Sequence, residues 1–162
     1  MFKLNLENLF YLFLVLVLGY NSFMLLDRTF EERRIAAFID SNHDHYLFDL
    51  LSIRKALDRY YIEHLSYPKN KSFDGVQSCW GESTPNWIPD LAPKYIEKLP
   101  NINHKNSNCG NQYLYKSNGK GYKLIVHFPE DCEEIKRDFP SLIDPNRDCF
   151  AYGYWNDDGK NL

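Results

Sequence analysis

Residues Leu9 to Leu26 (LFYLFLVLVLGYNSFMLL) form an uninterrupted run without a charged side chain. A helix rises about 1.5 Å per residue, so this run spans roughly 27 Å, close to the ~30 Å hydrocarbon core of a bilayer. Its apolar side chains fall on every face, which suits a rod surrounded by lipid better than a helix with one buried stripe. A single membrane-spanning anchor is the preferred reading. A cleaved secretory signal is the alternative, with Val17-Leu18-Gly19 as a tolerable small-residue site. Cleavage there would leave the apolar Phe23-Met24-Leu25-Leu26 at the front of the remaining chain.

The pattern then changes. From Asp27 to Leu65 no proline or glycine interrupts the chain. From Tyr46 onward, Leu47, Leu50, Leu51, Leu57, Tyr61 and Leu65 recur at three- and four-residue spacing, the mark of an amphipathic helix. Asp49, Arg54, Lys55, Asp58, Arg59 and Glu63 lie mostly off that stripe. Tyr67-Pro68 ends the helix, because the residue before proline is driven out of the helical region. Ser41-Asn42-His43-Asp44 is a weak point, since such side chains compete for backbone hydrogen bonds. His43 and His45 stand two apart and diverge on a helix, so they do not share a metal.

Beyond Pro68 the period shifts towards two. Gln112–Ser117 and Tyr122–Phe128 flank a turn containing Asn118-Gly119, a hairpin signal. Tyr122, Leu124, Val126 and Phe128 alternate onto the face expected against the amphipathic helix. Phe150–Trp155 reads as a third strand, and Pro93 suits the first turn of a short helix ending before Leu99-Pro100. The predicted fold is α+β: a long N-terminal helix, transmembrane then amphipathic, packed on a small antiparallel sheet. The expected organisation is a cytoplasmic N-terminus at 1–8, a transmembrane helix at 9–26, a helical spine at 27–67 and an extracytoplasmic, turn-rich β domain at 68–162.

Composition sharpens this division. All eight prolines lie at or after Pro68, and only Gly19 of the eight glycines precedes it. With 44% hydrophobic and 16% aromatic residues, the chain has the material for a core. A net charge of −3 argues against nucleic acid, whose binders carry a basic excess to neutralise phosphates. No phosphate-binding glycine loop, serine elbow, HExxH or paired-carboxylate motif occurs, so neither an enzyme nor a cofactor is expected.

Cys79, Cys109, Cys132 and Cys149 all fall in the turn-rich half, with no zinc-like spacing. Four cysteines in a small domain point to disulfides and an oxidising compartment. Pairing of neighbours, Cys79–Cys109 and Cys132–Cys149, is the favoured of three connectivities. Arg28, Arg33 and Arg34 after the apolar run pull the other way by the positive-inside count, but Asp27, Glu31 and Glu32 are interleaved with them. The cysteines place the C-terminal domain outside the cytoplasmic membrane, periplasmic or extracellular. Asp144, Asn146 and Asp148 place oxygen atoms at alternate positions, a candidate calcium loop lacking the usual later glycine and glutamate. Trp80, Trp87 and Trp155 are candidate contacts for a glycan or a protein partner.

The stretch Asp49-Leu50-Leu51-Ser52-Ile53-Arg54-Lys55-Ala56-Leu57-Asp58-Arg59-Tyr60-Tyr61, closing with Ser66-Tyr67-Pro68 behind an N-terminal apolar run, resembles the type IV pilin and type II secretion pseudopilin family, especially its major-pseudopilin-like branch. Trp87–Pro100 and Tyr113–Gly119 are similar to the segments leading into that family's sheet, so the resemblance covers roughly residues 9–128. It departs at the maturation signal, since no glycine here precedes Phe-Thr-Leu-Ile-Glu. The resemblance implies a non-catalytic subunit, anchored in the inner membrane, that assembles with other pilin-like subunits or secretion-system proteins, including copies of itself. The competing reading is a cell-surface binding module on the same fold, using the tryptophans.

Overall fold

The computed structural model describes residues 6–42, 45–70, 74–76, 86–100, 112–127 and 129–162. The chain divides into two compact units, Met1–Asp44 and His45–Leu162. The second half of the expected spine therefore groups with the sheet.

The first unit is helix α1, Leu6–Asn42. Three of its polar side chains bond backward to carbonyls of the preceding turn: Asn21 Nδ2 to Val17 at 2.9 Å, Thr29 Oγ1 to Leu26 at 2.8 Å and Ser41 Oγ to Phe38 at 2.9 Å. Such bonds satisfy the side chain without breaking the helix. Arg28 and Glu32 pair across one turn at 3.6 Å. The helix ends just before residues 43–44, so His43, Asp44 and the core of the expected weak point lie outside the described residues.

The second unit opens with α2, His45–His64. Leu47, Leu50, Leu51 and Leu57 are buried as the spacing predicts, joined by Ile53 and Ala56. Tyr61 and Leu65 depart from the expected stripe, being 39% and 79% exposed. The helix ends at His64, and Leu65 adopts a left-handed φ of 53° while its N–H still bonds Tyr61 O at 2.8 Å. That turn redirects the chain, so the last predicted stripe residue points into solvent. Tyr61 keeps a lesser role, stacking on buried Tyr67 at 4.7 Å.

Five antiparallel strands are described: β1 Asp74–Val76, β2 Gln112–Ser117, β3 Tyr122–His127, β4 Ile143–Asp144 and β5 Asp148–Trp155, in the order β1-β2-β3-β5-β4. The hairpin and the third strand stand where the alternation places them, with β5 starting two residues earlier. Phe128, the last residue expected on the helix-facing side, lies outside the described residues. Tyr113 pairs with Val126 and Tyr115 with Leu124 across the hairpin, while Leu124 also faces Tyr154 and Val126 faces Tyr152. Directly opposite residues share a face. One side of the sheet is therefore a tyrosine-rich surface, and α2 lies on it: Tyr113 Oη donates to Asp49 Oδ2 at 2.5 Å, and the Arg54 guanidinium sits 4.7 Å from the Tyr154 ring centre.

The strand β3 is buried from Tyr122 through Val126, on both faces. Simple alternation predicts only one buried face, and Lys123 and Ile125 correct it. Between β3 and β5 come helix α3, Cys132–Asp138, and a single 3-10 turn, Pro140–Leu142. Asp131 precedes α3 and spends its carboxylate on β5, accepting the Tyr152 hydroxyl at 2.9 Å, while its carbonyl accepts the Glu134 and Ile135 N–H groups. Residues 86–100 form successive turns rather than the short helix expected at Pro93. Pro89 and Pro93 supply no N–H, and the segment is held instead by burying Trp87, Ile88, Leu91, Tyr95 and Leu99.

Two glycines are required by position. Gly119 takes φ +92° in the hairpin turn, where Asn118 Oδ1 accepts the N–H groups of Lys120 and Gly121 at 2.9 and 2.8 Å. Gly153 faces Ile125, and a Cβ there would meet Leu124 O at 2.1 Å and Ile125 Cα at 2.7 Å, both backbone. Gly153→Ala is expected to force β5 away from β3 and to cost about 1–3 kcal/mol, read as a lower urea midpoint with an unchanged slope.

Candidate membrane anchor and the predicted site residues

Helix α1 contains a segment long and apolar enough to cross a membrane, Leu9–Ser41 at its widest, and none of its most apolar window is buried within the protein. The large apolar side chains from Leu9 to Leu26 are 40–68% exposed. In water this is a large unpaid hydrophobic surface; in hydrocarbon the same side chains are solvated and the helical backbone satisfies its own hydrogen bonds.

The predicted contact tryptophans are not brought together. Trp80 lies outside the described residues. Trp87 is a core residue, 2% exposed, with its ring parallel to Tyr113 at 6.1 Å. It cannot offer its face to a glycan or partner, which corrects that expectation. Its indole nitrogen is buried without a hydrogen-bond partner. Trp155 is half-buried at the end of β5, with the Lys123 ammonium 5.7 Å from its ring centre.

The candidate calcium loop is also corrected. Asp144 is fully buried, and its carboxylate is committed to protein cations: Arg147 Nη1 at 2.7 Å and Lys123 Nζ at 3.4 Å. The Asn146 N–H adds a bond at 2.9 Å, fixing the Asx turn. Asp148 pairs with Lys136 at 2.8 Å. A loop already neutralised by three side-chain cations is a poor cage for a fourth. No cluster of three metal-ligating side chains occurs among the described residues.

This ion group is the feature that pattern reading missed. Lys123 sits in the middle of a strand, 0% exposed, with Asp144 likewise 0% exposed. Burial works to raise the Asp144 carboxyl, but the Asn146 N–H, Arg147 and Lys123 outweigh it and hold it below the usual carboxylate range. Burial pushes the Lys123 ammonium down, against the pull of Asp144. His127, on the same strand, is lowered by burial and by Arg147. Asp49 goes the opposite way: burial raises it despite the Tyr113 hydrogen bond and the nearby His45. A lysine inside an apolar strand was the available signal for the buried pair, since such a residue needs a counter-charge.

A second polar group ties residues 86–100 to the end of α2. Glu63 accepts the Tyr95 hydroxyl at 2.7 Å and pairs with Lys94, His64 Nε2 lies 3.0 Å from Tyr95 Oη, and the Arg59 guanidinium donates to Tyr95 O. The Tyr60 ring stacks on His64 at 4.1 Å. These contacts hold a structural corner, with Tyr95 5% exposed at its centre.

Of the four cysteines, Cys79 and Cys109 lie outside the described residues. Cys132 and Cys149, expected as a disulfide, are instead free thiols on α3 and β5, with Cys132 buried and Cys149 partly exposed. Each thiol acts on the other across the two elements. Burial raises both thiols, and for Cys149 the Cys132 thiol and Lys136 act against that rise.

Comparison of the chain with protein-family models, with curated proteins and with solved structures gives no match.

Removing the charge with Asp144→Asn is expected to cost about 3–5 kcal/mol at pH 7, because Lys123 is left buried without its counter-charge. The Asp144 carboxyl is depressed in the folded protein, so its contribution is complete above the ordinary carboxylate range and is lost as pH falls through the folded value. Urea titrations should show a constant gap between wild type and variant from pH 7 to about pH 5, narrowing below about pH 4.

Proposed function

We propose that this chain is a non-catalytic, membrane-anchored subunit of a pilin-like or pseudopilin-like assembly, of the type II secretion or type IV pilus kind. The observation that carries the anchor is the uncharged Leu9–Leu26 segment of α1, apolar on every face and 40–68% exposed. In this reading it spans the inner membrane once, and the unit from His45 onward stands on the periplasmic or extracellular side. The order of elements supports the family reading: a long helix first, then an amphipathic helix laid on a small antiparallel sheet.

The assembly surface is assigned to the outer side of α2. Phe48 and Ile62 are 56% and 75% exposed, large apolar side chains on a helix whose opposite side is core, and Leu65, just past its end, is 79% exposed. Isolated apolar side chains on a surface are ordinary, but half-exposed Tyr61, Ile62 and Leu65 cluster within five residues where α2 ends. In a filament such a patch would pack on a neighbouring subunit. The glycan-binding alternative loses Trp87, which is in the core.

Two measurements test this. The full chain should remain with the membrane after alkaline carbonate extraction, and removal of residues 1–26 should release it; release of the full chain would refute the anchor. Ile62→Asp combined with Leu65→Asp should abolish cross-linking to neighbouring pilin-like subunits while leaving the circular dichroism spectrum unchanged. Cross-linking at wild-type yield would refute the α2 surface.

A further inference from the structure

We propose that Cys132 and Cys149 form a thiol–disulfide exchange pair in which partly exposed Cys149 is the entry thiol and buried Cys132 the resolving thiol. Closure would staple α3 to β5. Three observations converge on the pair. Cys132 opens α3 and Cys149 lies near the start of β5, and each thiol acts on the other. Their exposures differ, Cys132 being 3% exposed and Cys149 intermediate, so an incoming disulfide can reach only one of them. The scaffold that holds them is independently fixed: Tyr152 Oη donates to Asp131 Oδ2 at 2.9 Å directly before Cys132, and Lys136 bonds Asp148 at 2.8 Å directly before Cys149. These two bonds, one just before α3 and one within it, tie the segment to β5 and hold the two cysteines on neighbouring elements.

The direction of exchange follows from access, since Cys149 is partly exposed and Cys132 is buried. Burial and Glu133 raise the Cys149 thiol, while the Cys132 thiol and the Lys136 ammonium act against that rise. A thiol raised in this way exchanges slowly, which suits a structural staple rather than a fast catalyst. The oxidant is a disulfide, either glutathione disulfide or the disulfide of an oxidoreductase. Cys149 thiolate attacks one of its sulfurs, breaking that S–S bond, forming a mixed disulfide and releasing one thiol. Cys132 then loses its proton and attacks Cys149 Sγ, which forms the Cys132–Cys149 bond and releases the second thiol. Two electrons and two protons pass from the cysteine pair to the oxidant, and nothing else is consumed.

The proposal rests on the extracytoplasmic placement only for where closure happens in the cell; its test is done on purified protein. In the full chain carrying Cys79→Ser and Cys109→Ser, glutathione disulfide should remove two hydrogens from the mass. Peptide mapping without reductant should then link Cys132 to Cys149, and Tm should rise by about 5–10 °C. Adding Cys132→Ser should trap one glutathione on Cys149, whereas adding Cys149→Ser should leave Cys132 unmodified at least tenfold longer. The wild-type chain, oxidised and mapped in the same way, covers the case in which the background variant fails to fold. Equal labelling of both cysteines, persistent free thiols in folded protein, or pairing of either with Cys79 or Cys109 would overturn the proposal. If the pair closes in the test tube yet stays reduced in cells, the pair stands and the extracytoplasmic placement falls.

Discussion

Burial of the α2 leucine stripe against the tyrosine-rich face of the sheet is the interaction on which the second unit depends. Leu47, Leu50, Ile53, Ala56 and Leu57 are all essentially without solvent contact, and so are Tyr113, Leu124, Val126 and Tyr152. Each large side chain of this kind contributes roughly 1.5–3 kcal/mol on leaving water, and no other layer here gathers as many. Tyrosines bring a further demand. Their rings fill the space between helix and sheet, and three of the buried hydroxyls reach acceptors on other elements. Tyr113 finds Asp49, Tyr115 finds Pro68 O at 2.8 Å, and Tyr152 finds Asp131. The core thus fixes its surroundings: one hydroxyl sets α2, one the chain leaving α2, and one the start of α3.

The strand β3 carries a second constraint, because it is buried on both sides. Its tyrosine-facing side is ordinary packing. On the other side Lys123 has been taken out of water, and the fold accommodates it by bringing back β4 so that Asp144 can face it. Arg147 joins the same carboxylate, and the short connection to β5 turns around that group. Such a pair adds little net stability compared with apolar residues of the same volume. It does select one register for β4, since only the observed placement gives the buried lysine its counter-charge.

The aromatic side chains were the most misleading part of the sequence. Tryptophan and tyrosine serve equally as core and as binding surface, and nothing in local spacing separates the two roles. Trp87 sits among turns and prolines, where a binding loop would be sought, yet it stacks on Tyr113 in the interior. Leu65 errs in the other direction: it continues the helical period but falls after the left-handed turn that ends the helix, and so it is exposed. Periodicity describes a helix only while the helix lasts.

The sequence by itself determined the elements whose cause is local. The uncharged run Leu9–Leu26, the leucine period of α2, the Asn118-Gly119 turn and the alternation of the hairpin are all legible because each depends on neighbours within a few residues. Tertiary structure decided what depends on distant partners: that β3 is buried on both faces, that Asp144 serves Lys123 and not calcium, that Trp87 is core, and that Cys132 and Cys149 differ in exposure. The physical reason is the same in each case. A buried charge, ring or thiol is defined by what lies against it, and those partners come from strands and helices far away in the chain.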